Sequence, residues 1–492
     1  MSARAMSRRR ALKGLLVLGA GGAALSACGA TPTPQVVEKV VTSVVEREVT
    51  KIVEGTPQIV KETVVITEVQ TQVVEQVVTA TPAPKGPVNL VLADYVYDME
   101  DQQKLVDMWN ADHPDMPMEG QFAPWDTYWT KIQTQIAGGQ VPDVIDMSAF
   151  YVVVLAFRNG LLNIDPLIER DSFPIGDFYP TSVETFRWQY GQIRVGEGPL
   201  WAMPESAQCG DMFYYNKSIF DKEGIPYPDD SWDWDKLLAV AKALTKTASD
   251  GTTEQWGLIV PADARMIWWP YTWQAGGEQF DDEMKNSLAE SEPSVTALQR
   301  VVDYFQVDKV CPLPGSMQMH PFMSGKVAMC YDGYWMATMT FTEITEFGWD
   351  VAAPPKGPVK RQIGLGCDAW SIMSGSKNID AAWEFLKWAS IDKGGDFIVQ
   401  YINAGFPYKP LARKYTYAKD RTLPPQSLWI YDDLINEAHI EYCAGNYAEY
   451  ASAATSEVEA AVIGKKTPQE AARDAATNVN SILAEAWKKY VG

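Results

Sequence analysis

The chain has 492 residues, 46% of them hydrophobic and 11% aromatic, enough to bury a large core in two or three domains. It carries 63 acidic residues against 42 lysines and arginines, a formal net charge of −21. Because such a surface repels phosphate backbones, we expect no nucleic-acid partner.

The first 27 residues have the layout of an export signal. Five cations are followed by an apolar run from Ala11 to Leu25, too short to cross a bilayer comfortably, and then by small residues. The tetrad from Leu25 to Cys28 resembles a bacterial lipobox, which implies cleavage before Cys28 and acyl chains on its sulfur. An ordinary signal peptide with an incidental cysteine is the alternative.

The segment from Ser7 to Lys13 resembles a twin-arginine export motif, although Ala11 stands where phenylalanine is usual. Arginines are common in any signal, so both the twin-arginine and the general export route stay open. We expect an exported protein, held by a lipid anchor to the outer face of the cell membrane, at the cell surface or in the periplasm.

Residues 28–87 are predicted to be a stalk between the anchor and a globular domain. No Phe, Trp or Tyr occurs before Tyr95, so this segment has little with which to build a core. Valine doublets four residues apart suit a helical stripe, while β-branching suits an extended chain. An extended or intermittently helical spacer is the main prediction, and a coiled coil is the alternative.

From Val88 the chain alternates apolar strands and amphipathic helices, which predicts an α/β fold with a parallel sheet. The predicted strands are 88–93, 118–122 and 143–147, and the predicted helices between them are 100–111 and 127–137. Ligands of such sheets lie beyond the carboxyl ends of the strands.

Later helices show start signals. Ser231 precedes a helix over 232–245, and Ser291 precedes one that runs to Gln306. Thr467-Pro468-Gln469-Glu470 is a capping box with proline at the first helical position of a C-terminal helix. This helix-rich second half favours two α/β lobes rather than one.

Metal and disulfide signals are weak. Five cysteines follow Cys28, namely Cys209, Cys311, Cys330, Cys367 and Cys443. None has a CxxC spacing, and Cys311 with Cys330 is the nearest candidate pair. The three histidines are isolated, so we expect neither a metal site nor a cofactor.

A series of short motifs resembles the family 1 extracellular solute-binding proteins of the maltose-binding type, over roughly residues 88–490. The motifs are Gly138 to Val144, Tyr214 to Lys217, Trp232, Met323 to Met329, Asp332 to Trp335 and Asp380 to Leu386. Each motif is weak evidence alone, but their occurrence in this order, in a chain with a lipobox-like tetrad, is specific for this family. The segment from Gly364 to Trp370 departs from the family, which usually shows a glycine pair and no cysteine there.

The resemblance implies a two-lobed periplasmic-binding-protein fold, type II-like, with the ligand in a cleft between the lobes. We expect lobe 1 to span about 88–205 and 355–405, and lobe 2 about 206–354 and 406–492. It further implies a monomeric, non-enzymatic receptor that captures a sugar, with an oligosaccharide favoured by the many aromatic residues. The receptor would deliver this sugar to the permease of an ABC transporter.

Sugars need flat aromatic rings against their C–H faces and planar polar groups for their hydroxyls. Residues of these types at strand-to-helix junctions are our predicted ligand contacts: Tyr95, Asp98, Phe150, Tyr151, Gln208, Trp269, Trp273, Asp332, Trp335, Asp368, Trp370 and Tyr408. Trp335 is the strongest candidate, because its motif matches a family position where an aromatic ring stacks on the sugar.

Structural roles compete for several of these residues. Adjacent tryptophans on a helix diverge by about 100°, so either Trp268 or Trp269 is expected in the core. Asp98 and Asp332 could each cap a helix, and Tyr408 could close a turn. A tethered glycosidase and a surface scaffold are the alternative functions, although adjacent acids such as Asp281 and Asp282 do not flank a glycosidic bond.

Overall fold

The computed structural model describes residues 36–53, 56–73, 88–95, 99–317, 320–402 and 405–492. The chain divides into two compact units, residues 1–85 and 86–492. The export signal and Cys28 lie outside the described residues. No helix in the described ranges has both the length and the apolar character needed to cross a membrane.

In the segment predicted to be a stalk, the described residues form a long antiparallel hairpin. Strands β1 (Val36–Val53) and β2 (Thr56–Val73) have 18 residues each and pair from Val36 opposite Val73 to Val53 opposite Thr56. Of the conformations that the sequence left open, the extended one is therefore present, and its pairing was not predicted. β-Branched residues favour this outcome because they fit a pleated strand better than a helix.

The second unit contains the remaining elements. Its strands are β3 (Leu90–Tyr95), β4 (Met118–Ala123), β5 (Val144–Ser148), β6 (Met203–Pro204), β7 (Gln208–Cys209), β8 (Met212–Asn216), β9 (Lys246–Thr247), β10 (Thr253–Ile259), β11 (Val327–Asp332), β12 (Trp349–Ala352), β13 (Gly364–Gly366), β14 (Asp368–Ile372) and β15 (His439–Ile440). Its helices are α1 (Met99–Asp112), α2 (Trp125–Gly138), α3 (Val152–Phe157), α4 (Asp165–Asp171), α5 (Pro180–Glu184), α6 (Lys217–Glu223), α7 (Trp234–Leu244), α8 (Trp269–Gln274), α9 (Glu292–Gln306), α10 (Ile379–Ile391), α11 (Lys393–Phe397), α12 (Lys409–Lys414), α13 (Ile430–Asn436), α14 (Tyr447–Val462) and α15 (Pro468–Tyr490).

The first lobe is built on a five-stranded sheet in the order β4-β3-β5-β14-β6. β3 is parallel to β4 and β5, as the alternating pattern predicts. β14 is antiparallel to both of its neighbours, β5 and β6. The strands predicted from the alternating pattern are thus parallel to one another, and β14, which that pattern did not include, re-enters the sheet from the second lobe instead of following a crossover helix.

The second lobe has its own five-stranded sheet, in the order β12-β8-β11-β10-β9, in which only β10 and β11 are parallel. A three-stranded sheet, β15-β13-β7, joins segments from both halves of the chain. The five cysteines beyond Cys28 are all buried free thiols, including the candidate pair Cys311 and Cys330.

Two of the three predicted helix starts are confirmed. Helix α15 opens with the complete capping box of Thr467 and Glu470, and α9 follows Ser291. Helix α7 instead begins after Asp233, whose carboxylate accepts the amide of Lys236 at 2.8 Å. Ser231 donates its hydroxyl to Asp229, in the turn before α7, so it is not the cap.

Gly257 of β10 tests the packing of the second sheet against α7. A Cβ atom at this position would lie 1.9 Å from the carbonyl oxygen of Ala241, a backbone atom that cannot swing away. We expect Gly257→Ala to cost about 1–3 kcal/mol, measured as a lower thermal midpoint. Gly176→Ala, where no atom lies within 4 Å of the new Cβ, is the control; equal midpoints for the two variants would contradict this packing.

Candidate functional site

A cavity of about 510 Å³ lies between the strand ends of the two large sheets. The first lobe contributes Tyr95, Trp125, Ser148, Phe150, Tyr151 and Asp368 to its lining. The opposite wall and the crossing segments contribute Gly210, Asp263, Arg265, Met266, Trp335, Gly366, Cys367, Glu441, Tyr447, Ala448, Ala451, Ser452 and Thr455. The position matches the rule that α/β sheets bind ligands at their strand ends.

Local structure explains how the second lobe presents its aromatic and basic groups. After β11, Gly333 lets the indole of Trp335 fold back over the backbone, since a Cβ there would lie 2.1 Å from the ring. After β10, the Asp263 carboxylate caps a short π-helix by accepting the amides of Arg265 and Met266. These two turns bring Trp335 and Arg265 to the same cavity.

The first-lobe wall is a cluster of aromatic rings. Tyr95 meets Trp125 edge to face, with centroids 4.7 Å apart, and Tyr151 stacks on Trp129 at 3.9 Å. Trp129 in turn meets Tyr128, which lies in the core. The rings therefore support one another, and Trp125 and Tyr151 are held half-buried at the cavity surface.

Three side chains close one side of the cavity. Phe150 stacks on Tyr447 of α14 with centroids 4.4 Å apart, and the Arg265 guanidinium carbon lies 5.2 Å from the Phe150 ring centre. Tyr447 donates its hydroxyl to Glu441. Arg265 is thus surrounded by an aromatic face and by the carboxylates of Asp263 and Glu441, which offset its charge.

The floor of the first lobe holds four carboxyl groups from strands that are neighbours in the sheet. Asp94 is on β3, Asp146 on β5, Asp368 on β14, and Glu205 directly follows β6. Asp94, Asp146 and Glu205 are buried, and Asp368 is half-buried at the cavity. We call these four residues the carboxyl cluster.

Burial and mutual repulsion make the carboxyl cluster hard to ionise. Burial raises the pKa of Asp94 to about 7 and that of Asp368 to about 6. It also raises the pKa values of Asp146 and Glu205 well above their usual range, and the negative neighbours in the cluster add to both shifts. The cluster therefore shares protons at neutral pH.

Hydrogen bonds fix the cavity edge of this cluster. The hydroxyl of Ser206 donates to Asp368 Oδ2 at 3.5 Å and accepts the amide of Asp368 at 2.8 Å. By contrast, the carboxyl oxygens of Asp94 and the buried hydroxyl of Tyr95 make no hydrogen bond of regular geometry among the described residues, although Asp94 interacts with Asp146 and Tyr95 with Asp368. Tyr95 and Asp368 line the cavity, so this edge of the floor is open to a polar ligand.

Five of the predicted contact residues come together at the cavity: Tyr95, Phe150, Tyr151, Trp335 and Asp368. Asp98 lies outside the described residues. Gln208 is described only as part of β7, so its side chain has no assigned position.

The other five predicted contacts lie elsewhere, and we do not carry a ligand-binding role forward for them. Trp273 is fully buried and stacked on His439 at 4.1 Å, and Trp370 is fully buried against Phe385. Both Trp268 and Trp269 are buried, so the expected division between them is wrong. The packed surroundings of α8 bury both rings although they diverge on the helix.

Asp332 and Tyr408 have structural partners. Asp332 accepts the amide of Gly333 at 2.6 Å and lies 2.7 Å from His320 Nε2. Tyr408 packs on Phe178, with centroids 5.3 Å apart, and pairs with it through the backbone. Both side chains therefore have partners outside the cavity, and Asp332 ends β11 without capping a helix.

One group among the described residues has the composition of a metal site. Potential ligand atoms of His320, Cys330 and Asp332 lie within 4.8 Å of one another. Burial, however, raises the pKa of the Cys330 thiol well above its usual range, and His320 and Asp332 already contact each other directly. Their contacts are those of a hydrogen-bonded pair beside a neutral thiol.

The sequence predictions missed Trp125, Arg265, Glu441 and Tyr447. Trp125 could have been found, because it opens a helix at the end of β4, a position of the kind used for the other candidates. Arg265, Glu441 and Tyr447 come from segments far apart in the chain. Only the packing of α14 against the π-helix, where the Ala264 amide donates to Thr455, brings them together.

Comparisons with known proteins come from sequence and from structure. The family model for bacterial extracellular solute-binding proteins matches residues 62–395. A putative binding protein of Brucella abortus is 24% identical over 421 residues, covering 82% of this chain and 95% of the relative. An uncharacterised lipoprotein of Streptomyces antibioticus is 27% identical over 321 residues, covering 61% of this chain and 66% of its own length.

Among solved structures, the ABC substrate-binding protein of Listeria monocytogenes in complex with cycloalternan superposes with a TM-score of 0.70. It is 24% identical and covers 81% of this chain and 99% of its own. The two proteins therefore share a fold, with two lobes around a cleft.

The raised pKa of Asp94 predicts a pH-dependent stability. The folded state binds this proton more tightly than the unfolded state, so its contribution is full below about pH 4 and is lost as the pH rises through about 7. Asp94→Asn, which mimics the neutral acid, should melt near the wild-type temperature at pH 4.5 and above it at pH 8. A constant difference between the two melting curves across this range would show that Asp94 does not titrate as described.

Proposed function

Since this chain belongs to the family of bacterial extracellular solute-binding proteins, we propose that it is the carbohydrate receptor of an ABC importer. The protein binds a sugar between its two lobes, without chemical conversion, and delivers it to a membrane permease. A ligand that contacts both lobes favours the closed state over the open one through its differential affinity.

The observation that supports a sugar ligand is the aromatic lining of the cavity. Trp125, Tyr151 and Trp335 offer half-buried rings to the C–H faces of a sugar. Asp368, Asp263 and Arg265 supply polar groups for its hydroxyls. A volume of about 510 Å³ is in the range of small-molecule sites and leaves room for more than one sugar ring. The Listeria relative, by its description, holds the oligosaccharide cycloalternan.

The proposal extends to the location of the protein. Acyl chains on Cys28 would hold the mature chain to the outer face of the cell membrane, with residues 28–87 as the spacer. The Streptomyces relative is described as a lipoprotein, which agrees with this arrangement. The mature protein would act as a monomer.

Calorimetry with a panel of neutral mono- and oligosaccharides tests the receptor function, with chromatography of the ligand after incubation. We expect one-to-one binding and unchanged ligand. Trp335→Ala should weaken binding about tenfold or more, because it removes a stacking face of the cavity. Trp429→Ala, an exposed ring outside the cavity, is the control. Unchanged affinity in Trp335→Ala would refute the site, and turnover of any sugar would refute the receptor.

The anchor is tested in bacteria that express the full chain. Cys28→Ser should move the protein from the membrane fraction to the soluble fraction or leave its signal uncleaved, because no other side chain at the cleavage site accepts the acyl chains. Cys311→Ser, which changes a buried thiol of the second lobe, should stay with the membrane. Mass spectrometry of the N-terminal peptide reads the modification directly, and an unmodified Cys28 would exclude the lipid anchor.

A further inference from the structure

We propose that the preferred ligand is an amino sugar, a carbohydrate whose protonated amine is held at the carboxyl cluster and the aromatic wall of the first lobe. This inference rests on the proposed function and names the substrate class of the same cavity.

The first argument is the unbalanced charge of the floor. Asp94, Asp146, Asp368 and Glu205 act on one another, and the charged groups that shift their pKa values are the other acids of the cluster. Within the described ranges, none of the four forms an ion pair with Lys, Arg or His at 4.0 Å or less. Asp368 is the member of the cluster that lines the cavity, so a cationic ligand would supply the partner that this carboxylate lacks.

The second argument is the set of polar groups at the cavity lining and behind it. Tyr95 lines the cavity and is only 5% exposed, and its hydroxyl makes no hydrogen bond of regular geometry, although it interacts with Asp368. The Asp94 carboxyl lies fully buried behind this lining, where it interacts with Asp146. An ammonium group has three donors and no acceptor, which suits a floor made of carboxyl and phenol oxygens.

The third argument is the composition of the walls. Trp125, Tyr151 and Tyr95 surround the same part of the cavity as Asp368. The faces of such rings attract cations, by about 0.5–2 kcal/mol for each well-placed pair. Aromatic rings alone suit any sugar, but aromatic rings beside uncompensated carboxyl groups favour a sugar with a positive charge.

The basic residue of the cavity does not reverse this preference. Arg265 stands on the second-lobe side, where Asp263 lies 3.7 Å away and Glu441 adds a further carboxylate. These two acids offset its charge, while nothing comparable offsets the carboxyl cluster. An anionic sugar such as a uronic acid would meet the repulsion of the cluster, which predicts that acidic sugars are excluded.

Sugars that differ only at one substituent test the inference directly. Three sugar skeletons are compared: glucose, galactose and the β-1,4-linked glucose tetramer. Each is titrated into the wild-type protein by calorimetry at pH 7 in three forms, which carry a hydroxyl, an amine or an N-acetyl group at carbon 2. We expect the amine form of at least one skeleton to bind about tenfold tighter or more than its hydroxyl form, because hydrogen bonds to charged groups are the stronger ones.

Variants locate the preference. Asp368→Asn should lower the affinity for the amine form about tenfold more than the affinity for the hydroxyl form, because it removes the charge but keeps a polar group. Asp177→Asn, which removes an exposed charge outside the cavity, should keep the difference between the two forms. Thermal unfolding without ligand checks that both variants fold. If Asp368→Asn does not fold, Glu205→Gln replaces it in the same titrations. The titrations of the wild-type protein test the inference without any variant.

The outcomes separate the two proposals. Neutral sugars that bind as tightly as their amine forms would overturn the amino-sugar inference and leave the receptor function intact. Absence of binding by every form, in this series and in the neutral panel, would overturn both. Stoichiometric binding of Ca²⁺ that Asp368→Asn abolishes would assign the cluster to a metal ion and overturn the inference as well.

Discussion

The return of β14 into the first sheet is the constraint on which the cavity depends. This strand lies between β5 and β6, antiparallel to both, with Asp368 opposite Ser148. The chain leaves the second lobe and inserts β14 between β5 and β6, which come much earlier in the sequence. That insertion ties the lobes together and places Cys367 and Asp368 at the point where the strands of the first lobe end.

The same arrangement creates electrostatic repulsion between the acids of the carboxyl cluster in the protein without ligand. Asp94 on β3, Asp146 on β5 and the first residue of β14, Asp368, lie on neighbouring strands, so the pairing of these strands brings the three acids together. Protein interiors normally avoid such clusters, because each carboxylate loses its hydration and repels the next. The protein keeps the cluster by holding protons on it, and this leaves a floor that a cation can stabilise. Strain of this kind is typical of binding sites.

The aromatic residues divide into two populations with different roles. Trp109, Trp273, Trp370 and Trp383 are fully buried and pack the interior through edge and stacking contacts. Trp125 and Trp335 lie at strand or turn ends and stay half-buried at the cavity. The sequence alone is enough to predict packing roles for Trp109 and Trp383, because they stand at apolar spacing on their helices. It could not do so for Trp273 and Trp370, because their burial depends on His439 and Phe385, which belong to other segments.

The sequence by itself determined several of the helices and strands and the α/β fold class. Periodicity and capping signals predicted β3, β5, α1 and α15 within a few residues, since these features depend on neighbours along the chain. It also placed Tyr95, Phe150 and Tyr151 at strand ends, where parallel strands carry ligand contacts. Only the tertiary structure decided that Arg265, Glu441 and Tyr447 join them, that β14 runs antiparallel, and that four acids share one floor. These facts depend on which distant segments meet, and pairing between segments hundreds of residues apart leaves no local pattern to read.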